Sequence, residues 1–168
     1  NKDAAYHNGT IWEWNSGPYI SAAAKKSGLN LEQKPASLLL NEAKMILESG
    51  CAGSLSENIH ACCNKDGSPI LSGTYSQAWS VAEFNRNVFQ DLIGFVPYLA
   101  ENKIELSPHF PHGLKEFYAE LPFGNGWYFC VKAEKKSSLV SVVVEWKIPE
   151  GFQNETKSLF VNDTEIVP

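Results

Sequence analysis

The apolar period of this chain changes near its middle. Up to Ile93 the apolar side chains recur at helical spacing, whereas "KIELSP", "FYAELPF", "WYFCVKAE", "LVSVVVEWKI" and "KSLFVNDTEIV" are short aromatic and β-branched runs separated by Gly, Pro, Asn and Lys-rich turns. A helical half followed by a β half follows, and the fold class is α+β. The boundary is expected near residues 95–103, with a helical domain over 1–97 and an antiparallel β domain over 98–168.

Three helices are expected in the first half. After "WNSG", Pro18 suits a first helical turn, where its missing N–H costs nothing, and "PYISAAAKKSG" runs to Gly28, a left-handed stop. A second helix is expected from Leu31 to Glu48, where Leu38, Leu39, Glu42, Met45, Ile46 and Ser49 fall at helical spacing and Gly50 ends the run. A third runs from Ser76 to Ile93, with Ala78, Val81, Ala82, Val88, Phe89 and Leu92 as its buried face and Gly94 as its cap. The stretch "CAGSLSENIHACCNKDGSPILSGTY" between the last two shows no clear period, and a loop of that length points to function or to disorder. In the β half, Val140, Val142, Val144 and Trp146 alternate onto one face, and Val143 on the other suggests a strand covered on both sides.

Charge excludes some partners. A formal net charge of −5 and a pI near 5.4 argue against capture of nucleic acid or of an anionic membrane, and no apolar run is long enough to span a bilayer. The start lacks a signal-peptide pattern and an initiator Met, which reads as a piece of a longer protein; a cytoplasmic place is favoured. Sequons at Asn8, Asn154 and Asn162 would matter only in a secreted eukaryotic protein. Cys51, Cys62, Cys63 and Cys130 match no zinc or disulfide framework and read as free buried thiols; His60 beside Cys62 and Cys63 is the weaker metal alternative. There is no Ser-His-Asp order, phosphate loop, HExxH or dinucleotide fingerprint, so neither a metal nor a cofactor is expected.

The residues with chemical promise gather in three places. Glu57 stands in a Gly- and Ser-rich loop where Ser54 and Ser56 can hydrogen-bond a carboxylate, the setting of a fixed general base or of a solvated loop glutamate. In "YHNGTIWEWNSGPY", Trp12, Trp14, Tyr6 and Tyr19 read singly as core, but together in a Gly/Asn turn they lean toward a stacking platform for sugar, with His7 and Glu13 adding polar contacts. In "YSQAWS", Gln77 and Trp79 lie two apart on a helix, so only one can face a given cleft.

Taken in order, "YHNGTIWEWNSGPYISA", "GSLSENIH" and "YSQAWSVAEFNR" resemble three motifs at the C-terminal end of the glycogen debranching enzyme (amylo-α-1,6-glucosidase) family, and "IELSPHFP" is similar to a segment that follows them. The resemblance implies the last helices of an (α/α)6 toroid glycosidase domain followed by a β appendage. It also implies an inverting hydrolase of α-1,6-linked glucose in which Glu57 inherits the general-base role. His7, Trp12, Trp14, Gln77 and Trp79 fall on or beside motif positions near the sugar-binding end. The general acid belongs to an upstream segment absent here, so the isolated chain is expected to be inactive. The expected partners are an α-glucan or oligosaccharide, the upstream part of the parent polypeptide and, through exposed inner helix faces, a second copy of the chain. "WEW" departs from the family's W-P-W by placing Glu13 at the Pro position. The competing readings are a non-catalytic carbohydrate-binding or interaction module, and another toroid glycosidase of glucoamylase or trehalase type.

Overall fold

The computed structural model describes residues 2–27, 34–111, 113–151, 158–162 and 164–166. The chain forms two compact units, Asn1–Val88 and Phe89–Pro168. Phe95–Tyr98, which the sequence reading left around its boundary, pairs as a strand with Lys103–Leu106 and lies in the second unit.

The first unit opens with α1 (Lys2–Ala5), β1 (Ile11–Trp12) and a single 3-10 turn over Glu13–Asn15 that leads straight into α2 (Ser16–Ser27). Pro18 sits within the first turn of α2, where no intrahelical bond needs its N–H. The expected stop at Gly28 and the expected start of the next helix at Leu31 lie outside the described residues. α3 spans Lys34–Glu48. Its buried line is Pro35, Ala36, Leu39 and Glu42, while Leu38 and Leu40 are exposed and Leu47 is 81% exposed. The expected apolar stripe is therefore rotated, and a carboxyl lies inside it.

The aperiodic stretch is corrected by the structure to a hairpin: β2 (Asn58–Cys63) pairs antiparallel with β3 (Pro69–Ser72), and β1 joins β2 on its other edge. A register shift between Ile59 and Cys63 breaks the alternation that would have marked β2 as a strand. At the tip, Asp66 Oδ1 accepts from Ser68 N at 2.9 Å and Ser68 Oγ at 2.7 Å, and Gly67 takes the left-handed φ of +82°. α4 (Ala78–Arg86) continues into a π-helical turn over Asn87–Leu92. The face expected to be buried is so only in part: Val81, Val88 and Leu92 are half-buried, Ala78, Ala82 and Phe89 are exposed, and Ser80, Asn87 and Asp91 are buried. Ser80 and Asn87 carry side-chain donors that seek buried carbonyls. Ser80 Oγ donates to Ser56 O at 2.9 Å, and Asn87 Nδ2 donates to Gly17 O at 3.1 Å. Gly17 itself lies against Glu83, where a Cβ would collide.

The second unit holds a four-stranded sheet and a three-stranded sheet. In the first, β4 (Phe95–Tyr98) pairs with β5 (Lys103–Leu106), β5 with β9 (Ser158–Val161), and β9 with β10 (Thr164–Ile166). The β5–β9 pair is parallel, which corrects the all-antiparallel expectation. Parallel neighbours need a long connection. Here the three-stranded sheet β6 (Glu116–Pro122), β7 (Tyr128–Lys136) and β8 (Leu139–Lys147) lies between them in sequence. Leu121, Phe129, Val131 and Ala133 are buried on one face, and Phe129 stacks against Phe95 at 5.4 Å and Trp146 at 5.4 Å. Val143 is 54% exposed, so β8 is not covered on both sides. Of the free cysteines, Cys130 is buried but Cys51, Cys62 and Cys63 are exposed, so the expected burial holds for Cys130 alone. Asn154 lies outside the described residues.

Candidate functional site

Glu57 precedes β2, and its backbone N–H donates to Thr74 O at 2.8 Å, which ties the entry of the hairpin to its exit. The same pairing returns a donor to the side chain: Thr74 N–H reaches Glu57 Oε2 at 3.1 Å. Tyr6 O–H donates to Oε1 at 2.9 Å. Each carboxylate oxygen thus has one fixed donor, and Glu57 is 9% exposed. The hydrogen bond to Glu57, then burial, then the carboxylate charge hold the Tyr6 phenol above the usual tyrosine range. Gly73 makes the approach possible, since a Cβ there would stand 2.5 Å from Glu57 Oε2 and φ is +72°.

Tyr6 carries the carboxylate's environment to an aromatic groove. Its ring meets Trp12 edge-on at 4.6 Å and His7 at 5.1 Å, Trp12 Nε1–H donates to Tyr6 O at 3.2 Å, and Trp12 and Trp79 lie 6.1 Å apart. His7, Thr10, Trp12, Trp14, Asn15 and Trp79 wall a groove of about 500 Å³. Trp14 is 37% and Trp79 45% exposed. Four residues singled out from the sequence, His7, Trp12, Trp14 and Trp79, therefore share one concavity. Gln77 does not wall it. It occupies the N-cap position of α4, with its N–H donating to Leu55 O at 2.9 Å, and the two-residue offset turns Trp79 toward the groove. A second hollow lies in the other unit between β8 and β9, walled by Val140, Val142, Val144, Trp146, Leu159, Val161 and Asn162, none of them ionisable.

The serines expected to hold Glu57 bond elsewhere. Ser54 Oγ pairs with Ser76 Oγ at 2.8 Å, and Ser56 Oγ lies 2.8 Å from Glu13 Oε1. Glu13, expected as a polar contact for ligand, is buried beneath the groove rather than in its wall. Burial raises its pKa against the lowering effect of Ser56. Glu42, on α3, touches Ser16 Oγ; burial pushes its carboxyl up to about 7, Ser16 opposes this and the Glu13 charge adds to it. The sequence held one signal for this pair: Glu42 falls at helical spacing among the apolar residues of α3. Among the described residues, no three His, Cys, Asp or Glu side chains are grouped to share a metal ion. No described helix is long and apolar enough to cross a membrane.

The family model described as amylo-alpha-1,6-glucosidase matches residues 1–86. No curated protein and no solved structure matches the chain.

Proposed function

The chain belongs to the amylo-alpha-1,6-glucosidase family, and on that premise we propose that its first unit carries the general base and part of the sugar-binding surface of an inverting glycoside hydrolase acting on α-1,6-linked glucose. Glu57 is the base. The observation that carries this is its carboxylate, 9% exposed and fixed by Tyr6 O–H and Thr74 N–H, one tyrosine ring away from the groove of Trp12, Trp14, Trp79 and His7.

Inversion needs a water between the base and the sugar. Glu57 removes a proton from that water as its oxygen bonds to the anomeric carbon. The opposite carboxyl, ~6.5–9.5 Å away, gives its proton to the departing glucan oxygen, and the glycosidic bond breaks. That acid belongs to the upstream part of the parent polypeptide. Trp12, Trp14 and Trp79 offer π-faces to the C–H faces of glucose, and His7 offers a polar contact near the hydroxyls. The helices of the first unit are the last of an (α/α)6 toroid, and the exposed Leu38, Leu40 and Leu47 of α3 are where upstream helices pack. No cofactor is involved.

The test is Glu57→Gln in the longest parent polypeptide, with glucose release from an α-1,6-linked oligosaccharide as the readout and circular dichroism as the check on folding. A fall of ~10²–10⁴-fold supports the base; retained activity removes it. A second reading rests on the same groove: three tryptophans and a histidine suffice for a binding module without catalysis. It is favoured if the parent binds the oligosaccharide, quenching tryptophan fluorescence, and releases no glucose.

A further inference from the structure

Two serine hydroxyls in the first unit face more acceptors than they have protons. Ser56 Oγ lies 2.8 Å from Glu13 Oε1 and 2.9 Å from Asn58 O. Ser16 Oγ touches Glu42 Oε1 and lies 2.6 Å from Glu13 O. A hydroxyl has one hydrogen, and a peptide carbonyl has none to give. One proton cannot serve both acceptors in full, and the shortfall is met if each serine donates to its carbonyl while the carboxyl on its other side donates to the serine. That assignment needs Glu13 and Glu42 to be neutral acids. The other oxygen of Glu13 agrees with it. Oε2 is buried without a hydrogen-bond partner among the described residues, which suits the carbonyl of a neutral acid and would be costly for half of a carboxylate.

The surroundings point the same way. Glu13 is 6% and Glu42 8% exposed. The ionisable groups on the elements packed around them are Glu57, His60, Cys62, Cys63, Lys65 and Asp66 at the hairpin, Tyr6 and His7 ahead of β1, Tyr19, Lys25 and Lys26 on α2, Lys34, Lys44 and Glu48 on α3, and Glu83 and Arg86 on α4. Lys25, Lys26, Lys34 and Lys44 are exposed, and Lys44 pairs with Glu48. Arg86 is held by Glu83 at 2.6 Å and by Ser21 at 2.7 Å. Burial raises both carboxyls.

We propose that Glu13 is a positioning residue for Glu57: as a neutral acid it donates to Ser56, which donates to Asn58 O, and the two residues flanking Glu57 are pinned so that its carboxylate meets Tyr6 and Thr74. Glu42 supports Glu13 through the same chemistry, since the acid proton of Glu42 goes to Ser16 and the Ser16 proton to the carbonyl of Glu13. The proton chain thus runs from α3 through the turn before α2 to the start of β2. Calling Glu57 a base rests on the function proposed above; the proton count does not. With rising pH, ionised Glu13 turns from a donor to Ser56 into a competitor for the Ser56 proton, and Glu57 loses its support.

The experiment is a pH titration by NMR of the 168-residue chain with ¹³C-labelled glutamate carboxyls. At about pH 6 an ordinary glutamate, with a pKa of about 4.3, is ionised. Two carboxyl resonances are expected to remain protonated there, one disappearing in Glu13→Gln and the other in Glu42→Gln. The Tyr6 hydroxyl proton, followed at about pH 6, reports on Glu57 itself, because it exchanges slowly with water while its bond to Glu57 Oε1 holds. Glu13→Ala is expected to speed that exchange, and Glu13→Gln, whose amide N–H replaces the acid proton, to keep it slow. Glutamates that all titrate near their ordinary range overturn the proposal without any variant having to fold, and a Tyr6 hydroxyl exchange unmoved in Glu13→Ala overturns the positioning role. Neither result bears on glucose release by the Glu57→Gln parent, so the two readings fail separately.

Discussion

Tyr6 O–H and Thr74 N–H differ as partners of Glu57, because only the first can be deleted without touching the backbone. Tyr6→Phe keeps the ring contacts with Trp12 and His7 and removes the donor to Oε1. If Glu57 is the base proposed above, the change should lower the parent's kcat on the order of tenfold with little change in KM, since the lost bond would orient the base and not the sugar. Gly73→Ala acts on the other oxygen. The new Cβ meets Glu57 Oε2 at 2.5 Å and the backbone must hold φ +72°, so the chain should lose about 1–3 kcal/mol in urea denaturation. Glu42 sets a pH dependence. Its folded pKa of about 7 lies above the 4.5 of an ordinary glutamate, so its contribution is complete below about pH 4.5 and is lost as pH rises through 7. Glu42→Gln should therefore be more stable than the parent residue by roughly 3 kcal/mol at pH 8 and nearly equal at pH 4, read from urea unfolding at each pH. At this scale the sequence made Glu57, Trp12, Trp14 and Trp79 legible through their motifs. The donors to Glu57 were not legible: Thr74 lies across a hairpin and Tyr6 at the far end of the unit's chain, and no local spacing reports either contact.

The elements were legible where one apolar period dominates and obscure where polar groups do the packing. α2, α3 and the strands β5 to β9 stand close to where periodicity places them. α4 and the turn that follows it show the failure, because Ser80 and Asn87 are buried while Ala78 and Ala82 are exposed, so an apolar count finds the wrong face. The hairpin β2–β3 was missed for a related reason: "NIHACC" runs through a register shift and leaves four consecutive residues exposed, so alternation is lost. The polar face of α4 gives an element-scale prediction. Asn87 is fully buried and its amide holds Gly17 O and Ser21 Oγ. Asn87→Ala should cost about 1–3 kcal/mol by leaving a buried carbonyl short of its donor, whereas Phe89→Ala, at a position 37% exposed, should cost less. Equal losses in urea denaturation would mean that α4 is held by its apolar face after all.

For the whole molecule, the two units differ in what they bury. In Asn1–Val88 the buried apolar side chains are Ile20, Ala36, Leu39 and Leu55, in company with Glu13, Glu42, Ser56, Glu57, Asn58, Ser80 and Asn87. In Phe89–Pro168 the interior is Phe95, Ile104, Leu106, Leu121, Phe129 and Val131 among other apolar groups, with Asp91 as the charged exception among the described residues. Apolar burial is the larger driving force, so the second unit has the stronger core. Only the first unit holds two carboxyls that favour folding while protonated, and its share of the stability falls as pH rises toward and past 7. The tryptophans allow this to be followed, because Trp12, Trp14 and Trp79 report the first unit and Trp127 and Trp146 the second. In urea at pH 8 the first unit should unfold ahead of the second, giving two fluorescence steps that Trp127→Phe and Trp79→Phe assign. At pH 5, below the Glu42 pKa of about 7, the earlier step should move toward the later one. A first step that stays in place between the two pH values would show that Glu13 and Glu42 do not govern the stability of the unit that carries Glu57.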